Sequence, residues 1–191
     1  MSTLFFFGKG SSQNALQGVN VYLREPEFGD FEDWADIRQR SRAFLEKWEP
    51  TWAADEFSRA AFRQRVRIYA QRAHDDEGYA FFLFDKRSHA LLGGLTLSHV
   101  KRGVSQSATI GYWIGEQHAG QGLMKDALKA LLAVAGPRYG FHRLEAACLP
   151  QNDRSRLLLL SCGFEQEGAA KSYVKIAGRW EDHLLFGLVL G

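Results

Sequence analysis

The sequence predicts an α/β (α+β) domain with a mixed central sheet of about six to seven strands and about four helices. Three observations lead there. The aromatic run Tyr79-Ala80-Phe81-Phe82-Leu83-Phe84 and the strand-like runs at 91–100 and 108–114 read as a meander. A helix-like run at 123–135 then separates that meander from another strand at 143–149, so the strands flanking the helix run parallel. Between strand and helix stand two glycines, Gly120 and Gly122. Glycines opening a helix bare its first N–H groups where the dipole is positive, a place suited to phosphate.

The remaining elements follow in order. A polar, glycine-rich stretch at 8–18 reads as a loop before a first strand near 19–23. Helices are expected at 31–44 and 58–73, broken by Trp48-Glu49-Pro50-Thr51-Trp52, where proline forbids continuation. In the helix at 123–135, Leu123, Ala127, Leu128, Leu131 and Val134 share one face, and Gly136-Pro137 ends it. Asn152-Asp153-Arg154-Ser155 opens a helix closed by Cys162-Gly163. Two last strands, at 170–176 and 179–189, meet at a tight turn on Ala177-Gly178. No linker divides the chain, which suggests a flexible segment at 1–18 and a single domain at 19–191.

A net charge of +2 over 191 residues argues against nucleic acid as the main ligand. Arg59, Arg63, Arg65, Arg67 and Arg72 gather on a helix-like segment and read as a solvated face, with docking of an acidic partner as the alternative. Two cysteines, Cys148 and Cys162, without C-x-x-C spacing support neither a disulfide framework nor zinc, and the histidines show no ligand spacing. Leu4-Phe5-Phe6-Phe7 is too short to span a membrane and lacks the basic flank of a signal peptide. A cytoplasmic location is therefore expected.

The element order, together with Phe44-Leu45-Glu46-Lys47-Trp48-Glu49-Pro50, Ile110-Gly111-Tyr112-Trp113-Ile114-Gly115, Gly120-Gln121-Gly122-Leu123-Met124, Asn152-Asp153-Arg154-Ser155, Cys162-Gly163-Phe164 and Gly178-Arg179-Trp180-Glu181-Asp182-His183, resembles the GCN5-related N-acetyltransferase (GNAT) family. The likeness covers nearly the whole chain and is nearest to the RimJ/RimL branch, RimJ above all, which acetylates the N-terminal α-amine of ribosomal proteins.

That resemblance implies a sheet splayed between its fourth and fifth strands, with acetyl-CoA as cosubstrate and no metal. The family's pyrophosphate signature fits two registers: Gln117 to Gly122 literally, or Ala119-Gly120-Gln121-Gly122-Leu123-Met124. We take the second, which keeps Gly122 at the turn and Leu123 and Ala127 on the helix core face. The pantetheine arm would pair with the backbone of Trp113 and Ile114, like an added strand. Asn152 would bond that arm or serve as a helix cap. The tyrosine that many members place four residues before Gly163-Phe164 is replaced here by Leu159. Ser155 is the substitute proton donor suggested by the RimL-like branch; otherwise it is an ordinary helix-start residue.

The reaction so implied is direct attack of an amine on the thioester, without an acyl-enzyme. Cys148 and Cys162 are read as small core residues. Glu49, Glu145 and His183 are the candidate bases, in that order. Of the aromatic residues, only Trp48 and Trp52 are expected to be partly exposed. The leading expectation is acetylation of a protein N-terminus, in a ribosomal or other protein with a small first residue. Acetylation of a small amine (polyamine, amino acid or aminoglycoside) and acyl-CoA binding without turnover are the alternatives.

Overall fold

The structure is a computed structural model and describes residues 15–190. In chain order it contains β1 (Leu16–Gln17), β2 (Val21–Arg24), a 3-10 turn (Phe28–Asp30), α1 (Phe31–Arg40), α2 (Arg42–Leu45), α3 (Arg59–His74), β3 (Tyr79–Asp85), β4 (Leu91–Lys101) and β5 (Ser107–Ile114). There follow a 3-10 turn (Glu116–His118), α4 (Leu123–Ala135), β6 (Arg143–Cys148), α5 (Asp153–Ser161), β7 (Glu165–Ile176) and β8 (Arg179–Val189). One eight-stranded sheet takes the order β1-β2-β3-β4-β5-β6-β8-β7. The β5–β6 pair is parallel and the others antiparallel.

The uninterrupted apolar run in β3 exists because both faces of the sheet are covered. Phe81 and Leu83 join Leu95, Leu97, Ile110, Leu144 and Phe186 against α4 and Leu159 of α5. Phe82 and Phe84 point the other way, to Trp34 of α1 and Phe62 and Val66 of α3. The expected solvated face of α3 is present: Arg63 and Arg67 are exposed, while Arg65 pairs with Glu56 at 2.8 Å.

Three elements depart from expectation. Most of the segment at 1–18, including Leu4 to Phe7, lies outside the described residues. Within it, however, Leu16 is buried and pairs with Leu23, adding a two-residue strand too short to announce itself. The helix expected across 31–44 breaks at Ser41, which leaves helical geometry at φ −94°, ψ 11°. Its fully buried hydroxyl accepts the Glu116 N–H at 2.9 Å, a partner 75 residues away that local propensity cannot reveal. Finally, β7 starts at Glu165 instead of 170, and its exposed, polar residues carry no alternating signal. A positive φ of 45° at Ser172, with its N–H bound to the Asp182 carboxylate at 2.8 Å, marks the irregularity that interrupts pairing between Ala170 and Val174.

Candidate active site

The parallel pairing of β5 and β6 lasts three residues, Ser107 to Thr109 against Arg143 to Glu145. Beyond Thr109, β5 continues on β4 alone and β6 on β8 alone. The sheet therefore opens into a fork, and the facing backbone edges from Ile110 to Ile114 and from Ala146 onward have no strand between them. Buried backbone polar groups need partners, so a ligand carrying amides fits there as a strand would. A cavity of about 1240 Å³ follows the fork and the helix starts beside it.

At the open end, Gly120 and Gly122 both hold φ +77°, the left-handed region open to glycine at little cost. A Cβ built on either meets nothing within 4 Å, so the space above both is free for a ligand. Gly122 is the N-cap of α4 and supplies no side-chain cap, which leaves the first N–H groups of Leu123 and Met124 without an intrahelical acceptor. The Gln121 side chain turns back to the Gln117 carbonyl at 2.7 Å, and Ala119 lines the cavity. Both glycines belong to both registers of the expected signature. The fit to a pyrophosphate is thus a backbone fit: donors, dipole and room.

Inside the fork, α5 begins with Asn152, whose Oδ1 accepts the Ser155 N–H at 3.1 Å. Asn152 is therefore a true cap, and it also lines the cavity. The Ser155 hydroxyl lies 2.8 Å from that of Tyr112 on β5. Burial holds the Tyr112 phenol well above its ordinary range, outweighing the opposing bond to Ser155. Tyr112 accordingly keeps its proton, and the two hydroxyls share one hydrogen bond at the wall of the cavity. Cys148 adjoins them; burial pushes its thiol up, with Ser155 and Arg156 opposing. Cys148 is buried and Cys162 packs against the core, both as free thiols. Leu159, where many relatives carry tyrosine, is fully buried and offers no chemistry.

The opposite face of the fork holds different groups. Leu144, Ala146 and Cys148 point to the α4 side, so Glu145 points to the α1 side with its register partner Thr109. On β8, Leu184 and Phe186 face α4, so His183 shares the Glu145 side. Glu145 is engaged by Arg143 at 3.1 Å. Glu49 is held by the Arg38 guanidinium at 2.5 Å and by the Trp52 indole N–H at 2.7 Å. His183 is 5% exposed; its Nδ1 lies 3.0 Å from the Glu181 carbonyl, while Asp182 turns away to Ser172. Trp48 and Trp52 are half-buried as expected, but Tyr173 and Trp180 on the β7–β8 hairpin are exposed as well.

Sequence reasoning missed Arg38. It is buried, it lies within 5.0 Å of the Trp52 and Trp113 ring centroids, and its Nε has no partner among the described residues. A signal was available, because Arg38 stands on the apolar stripe of α1 with Phe31, Trp34 and Ala35. It missed the Tyr112–Ser155 pair too, since Tyr112 reads from sequence as one more strand aromatic. Among the described residues, no group of His, Cys, Asp and Glu is placed to hold a metal, and no helix is long and apolar enough to cross a membrane.

Comparison with known proteins agrees with this geometry. The acetyltransferase (GNAT) domain family matches residues 20–165. The chain is 34% identical over 154 residues to the [ribosomal protein uS5]-alanine N-acetyltransferase of Escherichia coli, covering 81% of this chain and 79% of that one. It is 33% identical over 174 residues to the probable N-acetyltransferase YjcK of Bacillus subtilis, covering 91% and 96%. Mycobacterium smegmatis RimJ, solved in complex with CoA-disulfide, superposes with a TM-score of 0.84 at 30% identity, covering 92% and 84%. The fork, the glycine turn and these matches together establish that the chain belongs to the GNAT family of N-acetyltransferases, with RimJ-like relatives.

Proposed function

We propose that this protein transfers the acetyl group of acetyl-CoA to the N-terminal α-amine of a protein, such as a ribosomal protein with a small first residue. The observation that carries this reading is the state of the two carboxylates on the acceptor side. Glu49 is paired with Arg38, and Glu145 with Arg143, whose guanidinium it shares with Glu167. An α-amine titrates near ~7.7–8.0 and a lysine near ~10.4, a gap worth about 3.4 kcal/mol at neutral pH. A site whose carboxylates are already occupied suits the amine that is largely neutral before it binds. A second feature agrees: the Glu49 carbonyl accepts the Ala177 N–H at 3.0 Å. That bond ties the loop after α2 to the β7–β8 turn across the acceptor side, which favours a chain end over a mid-chain loop.

Acetyl-CoA supplies the activated acyl group as a thioester. The bare N–H groups of α4, with Gly120 and Gly122, would receive its pyrophosphate. The open edge at Trp113 and Ile114 would take the amides of its pantetheine arm, and Asn152 would border that arm. The acyl group would then lie in the fork, with Ser155 and Tyr112 on one face and the acceptor amine arriving from the other. Ser155, backed by Tyr112, would hold a proton at the sulfur as the carbon–sulfur bond breaks. Glu49 would position the acceptor loop through Arg38 and Trp52 instead of moving protons.

The test compares a peptide beginning with Ala or Ser against the same peptide blocked at its N-terminus but carrying a free lysine, and against spermidine. The free peptide should be acetylated, with a rate rising from about pH 6.5 to 8.5 as its α-amine loses its proton, then levelling. Efficient use of the blocked peptide, or a preference for spermidine, would overturn the reading.

A further inference from the structure

Resting on the reading above, we propose that His183 is the catalytic residue that takes the proton from the acceptor amine, through Nε2. A carbonyl oxygen only accepts, so the contact between Nδ1 and the Glu181 carbonyl at 3.0 Å puts the ring hydrogen on Nδ1. Nε2 of the neutral ring is then a lone-pair acceptor. It has no hydrogen-bond partner among the described residues, yet it is not sealed from solvent, and His183 lines the cavity. A nearly buried imidazole with one nitrogen fixed and the other open to a cavity is built to exchange a proton there. It stands on the acceptor face of the fork, opposite Ser155, and both residues line the cavity from different sides of the sheet.

The other ionisable groups on that side are less suited. Glu49 and Glu145 are held by arginines. Lys101 is exposed, and His99, at φ 50°, has its Nδ1 on the Ser98 hydroxyl at 3.2 Å. Tyr173 packs edge-on to His183, with ring centroids 5.8 Å apart, and is itself exposed. Packing by Tyr173 holds the imidazole without taking Nε2.

The step balances simply. The amine nitrogen forms its bond to the acyl carbon and gives one proton to Nε2. The carbon–sulfur bond breaks with its electron pair leaving on sulfur, steadied by Ser155. The imidazolium then returns its proton to solvent, from which the thiolate is protonated.

His183→Asn keeps a donor for the Glu181 carbonyl while removing the base, and His183→Gln provides a second variant should the first fail to fold. Both are assayed beside the wild type on the Ala-peptide, on its blocked lysine form and on spermidine, with acetyl-CoA affinity by calorimetry. Loss of about 10²-fold or more in kcat with unchanged acetyl-CoA affinity is expected, while the acidic limb set by the acceptor α-amine remains. If wild type prefers spermidine and the variants lose that activity alike, the base assignment stands while the N-terminal reading falls. Should the variants keep kcat on the Ala-peptide within about threefold, His183 is a structural residue and the N-terminal reading survives. Wild type inert on all three acceptors would remove both.

Discussion

The two sides of the fork are built from different materials. On the proposed cofactor side the determinants are backbone: two left-handed glycines, a helix start and an unpaired strand edge. On the proposed acceptor side they are side chains brought from distant elements: Arg38 of α1, Glu49 and Trp52 of the following loop, and His183 of β8. Backbone determinants tolerate many neighbouring side chains and so can be shared by enzymes with different acceptors. Side-chain determinants are particular to one pocket. The difference locates generality in one half of the site and specificity in the other.

The largest effect should come from the cofactor side. Gly122→Glu places a carboxylate where the space is empty and the helix dipole favours an anion. We predict that acetyl-CoA affinity, measured by calorimetry, falls beyond detection while the protein stays folded. Gly122→Ala, strained at φ +77° but uncharged, separates backbone strain from charge; its penalty should stay within about 1–2 kcal/mol. Unchanged affinity in a folded Gly122→Glu protein would place the pyrophosphate elsewhere.

The acceptor side should respond differently. Arg38→Met leaves Glu49 partly buried without its cation, and breaking such a pair costs about 3–5 kcal/mol when fully buried. Because Glu49 is 21% exposed, the lower end of about 3 kcal/mol is expected in chemical denaturation, with acceptor KM raised and acetyl-CoA affinity kept. A loss confined to acetyl-CoA binding would erase the division between the two sides.

Smaller effects belong to the centre of the fork. Ser155→Ala should lower kcat by about 10²-fold with KM for acetyl-CoA nearly unchanged. Tyr112→Phe, which removes the hydroxyl that bonds to Ser155, should cost about tenfold or less, and the double variant should lose no more than Ser155→Ala alone. Additive losses would show that the two hydroxyls act independently.

The same division explains what the sequence reveals. The strands at 79–85, 91–101 and 107–114 and the helix at 123–135 are legible because each carries its own local signal, apolar and aromatic runs in the strands and a one-faced apolar stripe in the helix. The glycine turn is legible because its chemistry is local. Glu49 reads from sequence as a base in an exposed loop, and only the fold brings Arg38 within 2.5 Å of it. Glu145 could not be assigned a side until its neighbours Leu144 and Ala146 were seen in the core. His183 ranks last among the three from sequence. Its credentials are a ring orientation and an opening to the cavity, neither of which residue order can express.

One contact far from the chemistry has a thermodynamic consequence. The Asp126 carboxylate, in the first turn of α4, accepts the N–H groups of Val19 at 2.8 Å and Asn20 at 2.6 Å. The turn between β1 and β2 is thereby fastened to the helix whose start is the proposed pyrophosphate site. A ligand that binds only the folded form adds RT ln(1 + [L]/Kd) to stability, about 2.7 kcal/mol at a hundredfold excess over Kd. With acetyl-CoA bound at the start of α4 as proposed, that stabilisation would extend through Asp126 to the turn between β1 and β2.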